Sequence, residues 1–239
     1  MPEKLQFSSV IERSAAILGR NLAGAIPLAI VLVGLPGLFL QSQFPIPGQL
    51  PQNTLALLLA ALLAAVGQAL LVGTLLYAVF RHHLGLGAVS IGMLFGYGVQ
   101  IAVPGILVSL AVALITGVGL MLFVVPGLIF MLVFYVAVPA AVMERLSVGA
   151  ALRRSVRLTE GSRWVLLAFQ IIVWIASLLL GWFVELLFRP TGLSMVAAVV
   201  VASLISAFTS IAVGVIYHDL RRMKDGISTE EMVRPLMQG

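Results

Sequence analysis

LGLGAVSIGMLFGYGVQIAVPGILVSLAVALITGVGLMLFVVPGLIFMLVFYVAVPAAVM, residues 84–143, runs for 60 residues without an acidic or basic side chain. A helix needs roughly 20 apolar residues to cross a bilayer core of about 30 Å. One crossing cannot use this stretch, and two take about 40 residues, so a remainder is left for the membrane surface. The stretch divides into spans at 99–119 and 120–143. Working outward, four more apolar runs of spanning length lie at 22–40, 54–80, 164–187 and 192–217. The expectation is an all-α polytopic membrane protein: six transmembrane helices in a single integral membrane domain over 1–239. Composition agrees, with 61% apolar and 10% charged residues, against about 25% charged in ordinary soluble domains.

With the N-terminus placed inside, Lys4, Arg13, Arg20, Arg81, Arg145, Arg153, Arg154, Arg157, Arg163, Arg221, Arg222, Lys224 and Arg234 all fall on the cytoplasmic side, leaving only Arg189 outside. Short basic loops resist translocation, so both termini are expected to be cytoplasmic, in a bacterial inner membrane. The net charge of +5 is spread over several cytoplasmic segments. It points to topology and anionic lipid heads and not to nucleic acid. The chain has no cysteine, which excludes disulfides, thiolate metal sites and cysteine nucleophiles. The first apolar run is preceded by Glu12, Arg13 and Arg20 and is long enough to span, so it is expected to be retained as the first helix.

Three segments read as interfacial. Residues 7–21 have Ser9 and Glu12 at capping-box spacing and an apolar face of Val10, Ile11, Ile17 and Leu18. Residues 146–161 form a basic amphipathic helix: Val148, Leu152, Ser155, Val156 and Thr159 on one side, Arg153, Arg154 and Arg157 on the other, Ser147 as cap and Gly161 as stop. Around Ser90 a third segment is weakened by Gly92, Gly96 and Gly98. Each precedes a membrane hairpin, which suggests a threefold repeat of interfacial helix plus two spans. Pro27 and Pro36-Gly37 are expected to kink or end the first span. The turn between the third and fourth spans is expected either at Gly117 and Gly119 or at Pro126-Gly127. Residues 218–239 form a cytoplasmic tail.

Few residues invite chemistry. In the last span Ala202, Ser206, Ser210 and Gly214 recur every four residues, a small-residue stripe that lets helices approach closely. Gln68 and Gln170 are candidate polar intramembrane groups, with interhelical hydrogen bonding the default role. Glu185 and Arg189 have the spacing of a helix-surface ion pair. His82, His83 and His218 sit at the inner ends of spans, where His218 with Asp219 meets His82 or His83 only if the bundle brings them together. No span carries an HExxH, a nucleotide loop or a nucleophile elbow, so no catalytic, cofactor or metal site is expected.

Pro126-Gly127, Pro139 with Glu144 five positions later, Ala150-Ala151-Leu152-Arg153-Arg154-Ser155, Leu158-Thr159-Glu160-Gly161, Trp164, Tyr217-His218-Asp219-Leu220-Arg221 and Gly226 together carry a resemblance. In its second half the chain resembles the membrane domain of bacterial glycerophosphoryl diester phosphodiesterases and of related stand-alone multi-pass proteins. In those enzymes catalysis belongs to a separate soluble barrel. Only 22 residues follow Tyr217, so the resemblance implies a fold and not the diesterase activity. Glu144 is expected to pair with Arg153 or Arg154, and Asp219 with Arg157, Arg221 or Arg222. The sharper reading is a lipid-headgroup site built from Arg153, Arg154 and Arg157. The function expected is non-enzymatic: an inner-membrane accessory protein that interacts with lipids, a membrane-protein partner or a second copy of itself, in envelope maintenance. The alternative is a permease for a small or lipid-like substrate.

Overall fold

The computed structural model describes residues 5–42, 53–188 and 193–232. Among them every regular element is a helix. α1 (Phe7–Ala29) runs through a π-helical turn at Ile30–Gly34 into α2 (Leu35–Ser42). α3 (Thr54–His83), α4 (Ile91–Leu122), α5 (Val124–Val133), α6 (Ala137–Met143), α7 (Val148–Thr159), α8 (Arg163–Phe188) and α9 (Ser194–Asp225) follow. Six segments are long and apolar enough to cross a membrane: Phe7–Ser42, Thr54–His83, Ile91–Leu122, Val124–Met143, Arg163–Phe188 and Ser194–Asp225. The chain is an all-α polytopic membrane protein.

The first segment corrects three expectations. Residues 7–21 are not a separate surface helix, because the helical path continues for 36 residues to Ser42. At about 1.5 Å per residue that path is near 54 Å, well beyond a core of about 30 Å. The early turns lie at the basic end of the bundle, where Arg13 meets Asp219 of α9. There Val10, Ser14, Ile17, Leu18 and Asn21 are buried, a three-and-four spacing that keeps one face against the other helices. Asn21 fastens the junction: its amide donates to the Ile17 carbonyl (2.8 Å) and its oxygen accepts from Val89 N–H (2.9 Å). Ser9 does not form the capping box; its hydroxyl donates to the Gln6 carbonyl at 2.9 Å. Nor does Pro36 end the helix. The irregularity lies earlier, in the π turn that starts three residues after Pro27.

α4 likewise runs through the doubtful segment. Ser90 caps it, its hydroxyl accepting from Met93 N–H at 3.3 Å. Each interior glycine costs roughly 1 kcal/mol of helix propensity. Close packing offsets this at Gly98, where a Cβ would sit 2.8 Å from Thr74 Oγ1. The reversal after α4 occurs neither at Gly117 and Gly119 nor at Pro126-Gly127 but between them, at the single extended residue Phe123. Gly119 and Gly127 meet across it: a Cβ on Gly119 would lie 3.1 Å from Gly127 Cα. Pro126 falls in the first turn of α5, where its missing N–H costs nothing.

The fourth span is broken, which its apolar sequence conceals. Between α5 and α6 the helix opens at residues 134–136. α7 repairs the exposed backbone. Ser155 Oγ accepts from Val136 N–H (3.3 Å) and donates to the Val133 carbonyl (2.8 Å), and Thr159 Oγ1 reaches the same carbonyl at 3.3 Å. Ser155, Leu158, Thr159 and Ala151 are fully buried. α7 is thus docked on the bundle by hydroxyls as much as by apolar area. Ser147 makes no side-chain cap, while Gly161 (φ +80) turns the chain into α8. The three segments proposed as repeats differ here: α1 and α4 run on into their spans, and only α7 is separate from its own.

Candidate functional site at the basic end of the bundle

The polar chemistry gathers around the last turns of α9. A helix rotates about 100° per residue, so Tyr217, Arg221 and Asp225 share one face and Asp219 points elsewhere. The first face meets Glu144, at the end of α6, and Arg154, on α7. Arg154 Nε donates to both Glu144 oxygens at 2.9 Å. Its Nη1 donates to Asp225 Oδ1 at 3.1 Å, and Nη2 is paired with Asp225 Oδ2. Tyr217 donates its hydroxyl to Glu144 Oε1 at 3.0 Å and accepts from Arg221 Nη1 at 3.3 Å. Arg221 Nε lies 3.7 Å from Glu144 and 3.4 Å from Asp225. Two arginines thus face two carboxylates, joining α6, α7 and α9. Burial works against the Arg154 charge, but hydrogen bonds to Asp225 and Glu144 outweigh it and raise its pKa above the ordinary arginine value.

The second face carries a different partner from those expected. Asp219 pairs with Arg13 of α1, not with Arg157, Arg221 or Arg222. Arg13 Nη1 donates to Asp219 Oδ1 at 2.9 Å, and Arg13 Nε donates to the Ser9 carbonyl at 3.1 Å. The 200° between Tyr217 and Asp219 turns the carboxylate away from α7 and toward α1. His218 is buried, with Nδ1 3.2 Å from Asp219 Oδ1 and Nε2 2.9 Å from Thr229 Oγ1. Its ring lies against His83, centroids 4.1 Å apart. Of the two expected encounters, His83 makes it; His82 instead lies 3.4 Å from Arg20 Nη1. No group of three metal-ligating side chains forms among the described residues. A cleft of about 240 Å³ opens beside Arg13, Asp219, Arg222, Ser9 and Gln6.

Of the three arginines on α7, only Arg154 turns inward. Arg153 and Arg157 are exposed and, among the described residues, enter no ion pair. Trp164, at the start of α8, is 83% exposed.

The intramembrane candidates separate. Gln68 donates to Ser210 Oγ at 3.1 Å, and Ser210 donates to the Ser206 carbonyl at 2.6 Å. Gln170, on α8, makes no hydrogen bond among the described residues. The small-residue stripe does not face one neighbour. Four residues turn a helix by about 400°, so the stripe drifts around α9. Ala202 and Ser206 line a gap with Ser177 and Gly181 of α8, whereas Gly214 lies against Leu76 and Val79 of α3. Glu185 is described, but the pairing expected with Arg189 lies outside the described residues.

Sequence reading missed Arg13, Ser155 and Thr159 as site residues. Arg13 stands at i+4 from Ser9 within an apolar-faced helix, the one local hint that it is tethered. Comparison with protein-family models, curated proteins and solved structures found no match to this chain.

Proposed function

We propose that this chain is a non-catalytic accessory protein of the bacterial cytoplasmic membrane, with both termini inside, whose α7 engages anionic lipid headgroups in the service of envelope maintenance. The observation that carries the reading is the division of labour on α7. Arg154 and the Ser155 and Thr159 hydroxyls tether the helix, and Arg153 and Arg157 are presented outward, in no ion pair among the described residues. A rigidly held helix offering two free guanidiniums suits bidentate recognition of phosphate. Three carboxylates at this end are held in ion pairs that join helices: Glu144 and Asp225 with Arg154, and Asp219 with Arg13. The resemblance to phosphodiesterase membrane domains is proposed as kinship of fold only.

A permease reading has one observation in its favour, the π-helical turn at Ile30–Gly34, since such turns are frequent at functional sites. Against it, Gln68 donates an N–H to Ser210 and so serves the packing of α3 on α9.

Lipid preference around the protein in nanodiscs of phosphatidylglycerol and phosphatidylcholine tests the proposal, read with spin-labelled lipids. Each arginine near an anionic surface contributes about 1 kcal/mol. At tenfold per 1.4 kcal/mol, Arg153→Ala with Arg157→Ala lowers the preference for phosphatidylglycerol by up to about thirtyfold, and added salt erodes the wild-type value. An unchanged preference in the double variant overturns the headgroup reading.

A further inference from the structure

A lateral apolar crevice of about 370 Å³ opens between the first span, α3 and α4. One wall is Pro27 and Leu28 of α1 with Val31 and Leu32 of the π turn, and Thr74 lies in the α3 side. The other wall is α4 from Ile91 to Ala102. Its rim is open: Val31, Phe95 and Val99 are each at least 60% exposed. The eleven steps of α4 from Ile91 to Ala102, at about 1.5 Å each, make the crevice about 16 Å long. Half a hydrocarbon core of about 30 Å is about 15 Å. The crevice therefore has the depth of one leaflet. It starts at the α4 terminus beside the basic end and stops near the middle of the first span, at the π turn that contains Val31 and Leu32.

Below its mouth α1 and α4 close up at Gly24, where a Cβ would lie 3.0 Å from Leu94 Cδ1 and 3.8 Å from Ile91 Cα. One turn further toward the basic end stands Arg20. Its spacing to Gly24, Pro27, Leu28 and Val31 places it on the crevice face of α1, and it is exposed.

We infer that this crevice holds one acyl chain of a single anionic phospholipid from the leaflet at the basic end, with the phosphate at Arg20. The length match to one leaflet distinguishes a resident tail from a transmembrane path, and Arg20, one turn beyond the Gly24 contact on the same face of α1, selects the headgroup. The inference rests on the lipid-interaction reading above and adds a stoichiometric site to it, separate from α7.

The test uses phosphatidylglycerol bearing a diazirine in its acyl tail, incorporated in nanodiscs with the full chain, with adducts mapped by peptide mass spectrometry. Adducts concentrate on the α1 and α4 peptides that line the crevice. α8 is the comparison, because Ile175, Leu178 and Trp182 are equally exposed to lipid but line no part of this crevice. Ala102→Phe, which fills the crevice, abolishes the concentration. Val103→Phe, exposed and outside the lining, leaves it intact and controls for folding, as does a monodisperse elution profile. Arg20→Ala removes the preference for phosphatidylglycerol over phosphatidylcholine at the same position. Labelling no stronger on the crevice peptides than on α8, or equal labelling of the Ala102→Phe and Val103→Phe variants, overturns the inference. Measured beside these, Arg153→Ala with Arg157→Ala isolates the two claims. If it alone changes lipid preference while crevice labelling is absent, only the crevice fails. If crevice labelling persists and the double variant changes nothing, only the α7 reading fails.

Discussion

Arg154→Ala removes the one side chain that joins α7 to both α6 and α9. The guanidinium makes two hydrogen bonds to Glu144 and two to Asp225, with side-chain exposures of 14% for Arg154, 16% for Glu144 and 24% for Asp225. That is neither a solvated pair, worth about 0–1 kcal/mol, nor a fully buried one, whose rupture costs about 3–5 kcal/mol. Arg221 remains within 3.7 Å of both carboxylates and partly compensates them. The expected cost is therefore about 2 kcal/mol, between those limits. Thermal unfolding in detergent measures it, with Arg153→Ala as the exposed control, expected within about 0.5 kcal/mol of wild type. A double-mutant cycle against Glu144→Gln isolates the pair. Because the folded-state pKa of Arg154 is raised, its contribution is full below the unfolded arginine value and is lost only as pH rises through the folded one. The deficit of the variant therefore does not change from neutral to mildly alkaline pH. If Arg154→Ala is no less stable than Arg153→Ala, the tether argument is wrong, and with it the contrast among the three arginines.

Ser155→Ala leaves the Val136 N–H without its partner at the break in the fourth span and the Val133 carbonyl with Thr159 Oγ1 alone. The expected loss is about 1–3 kcal/mol, read as a lowered unfolding temperature, and a neutral result means that the break is repaired without α7. Gly67→Ala drives a Cβ into the Leu32 carbonyl at the π turn. Overpacking of this kind costs about 1–3 kcal/mol; a variant as stable as wild type shows that α1 and α3 do not approach so closely.

The arginines on α7 show how far residue order could lead. Their helical phase separated a basic face from an apolar one, and it named Arg154 among the candidate partners of Glu144. It did not say which arginine faces the bundle, because that depends on how α7 is rotated against α6 and α9. Helical phase and residue order point Asp219 to Arg157, Arg221 or Arg222, and neither contains the rotation of α9 that turns it to α1. Its actual partner, Arg13, is 206 positions away. The broken fourth span was hidden for a similar reason: residues 124–143 are uniformly apolar, and the hydroxyls that satisfy the opened backbone lie 19 to 26 positions later.

What the sequence by itself determined is the class of molecule and the number of long apolar segments. Transfer of some twenty residues into a bilayer core is a local sum over side chains, and helices satisfy their own backbone there. What only the tertiary structure decided is where helices run on, where they open and which charges meet. Those outcomes depend on the rotation of each helix about its axis and on the neighbour it meets, which no local sum contains.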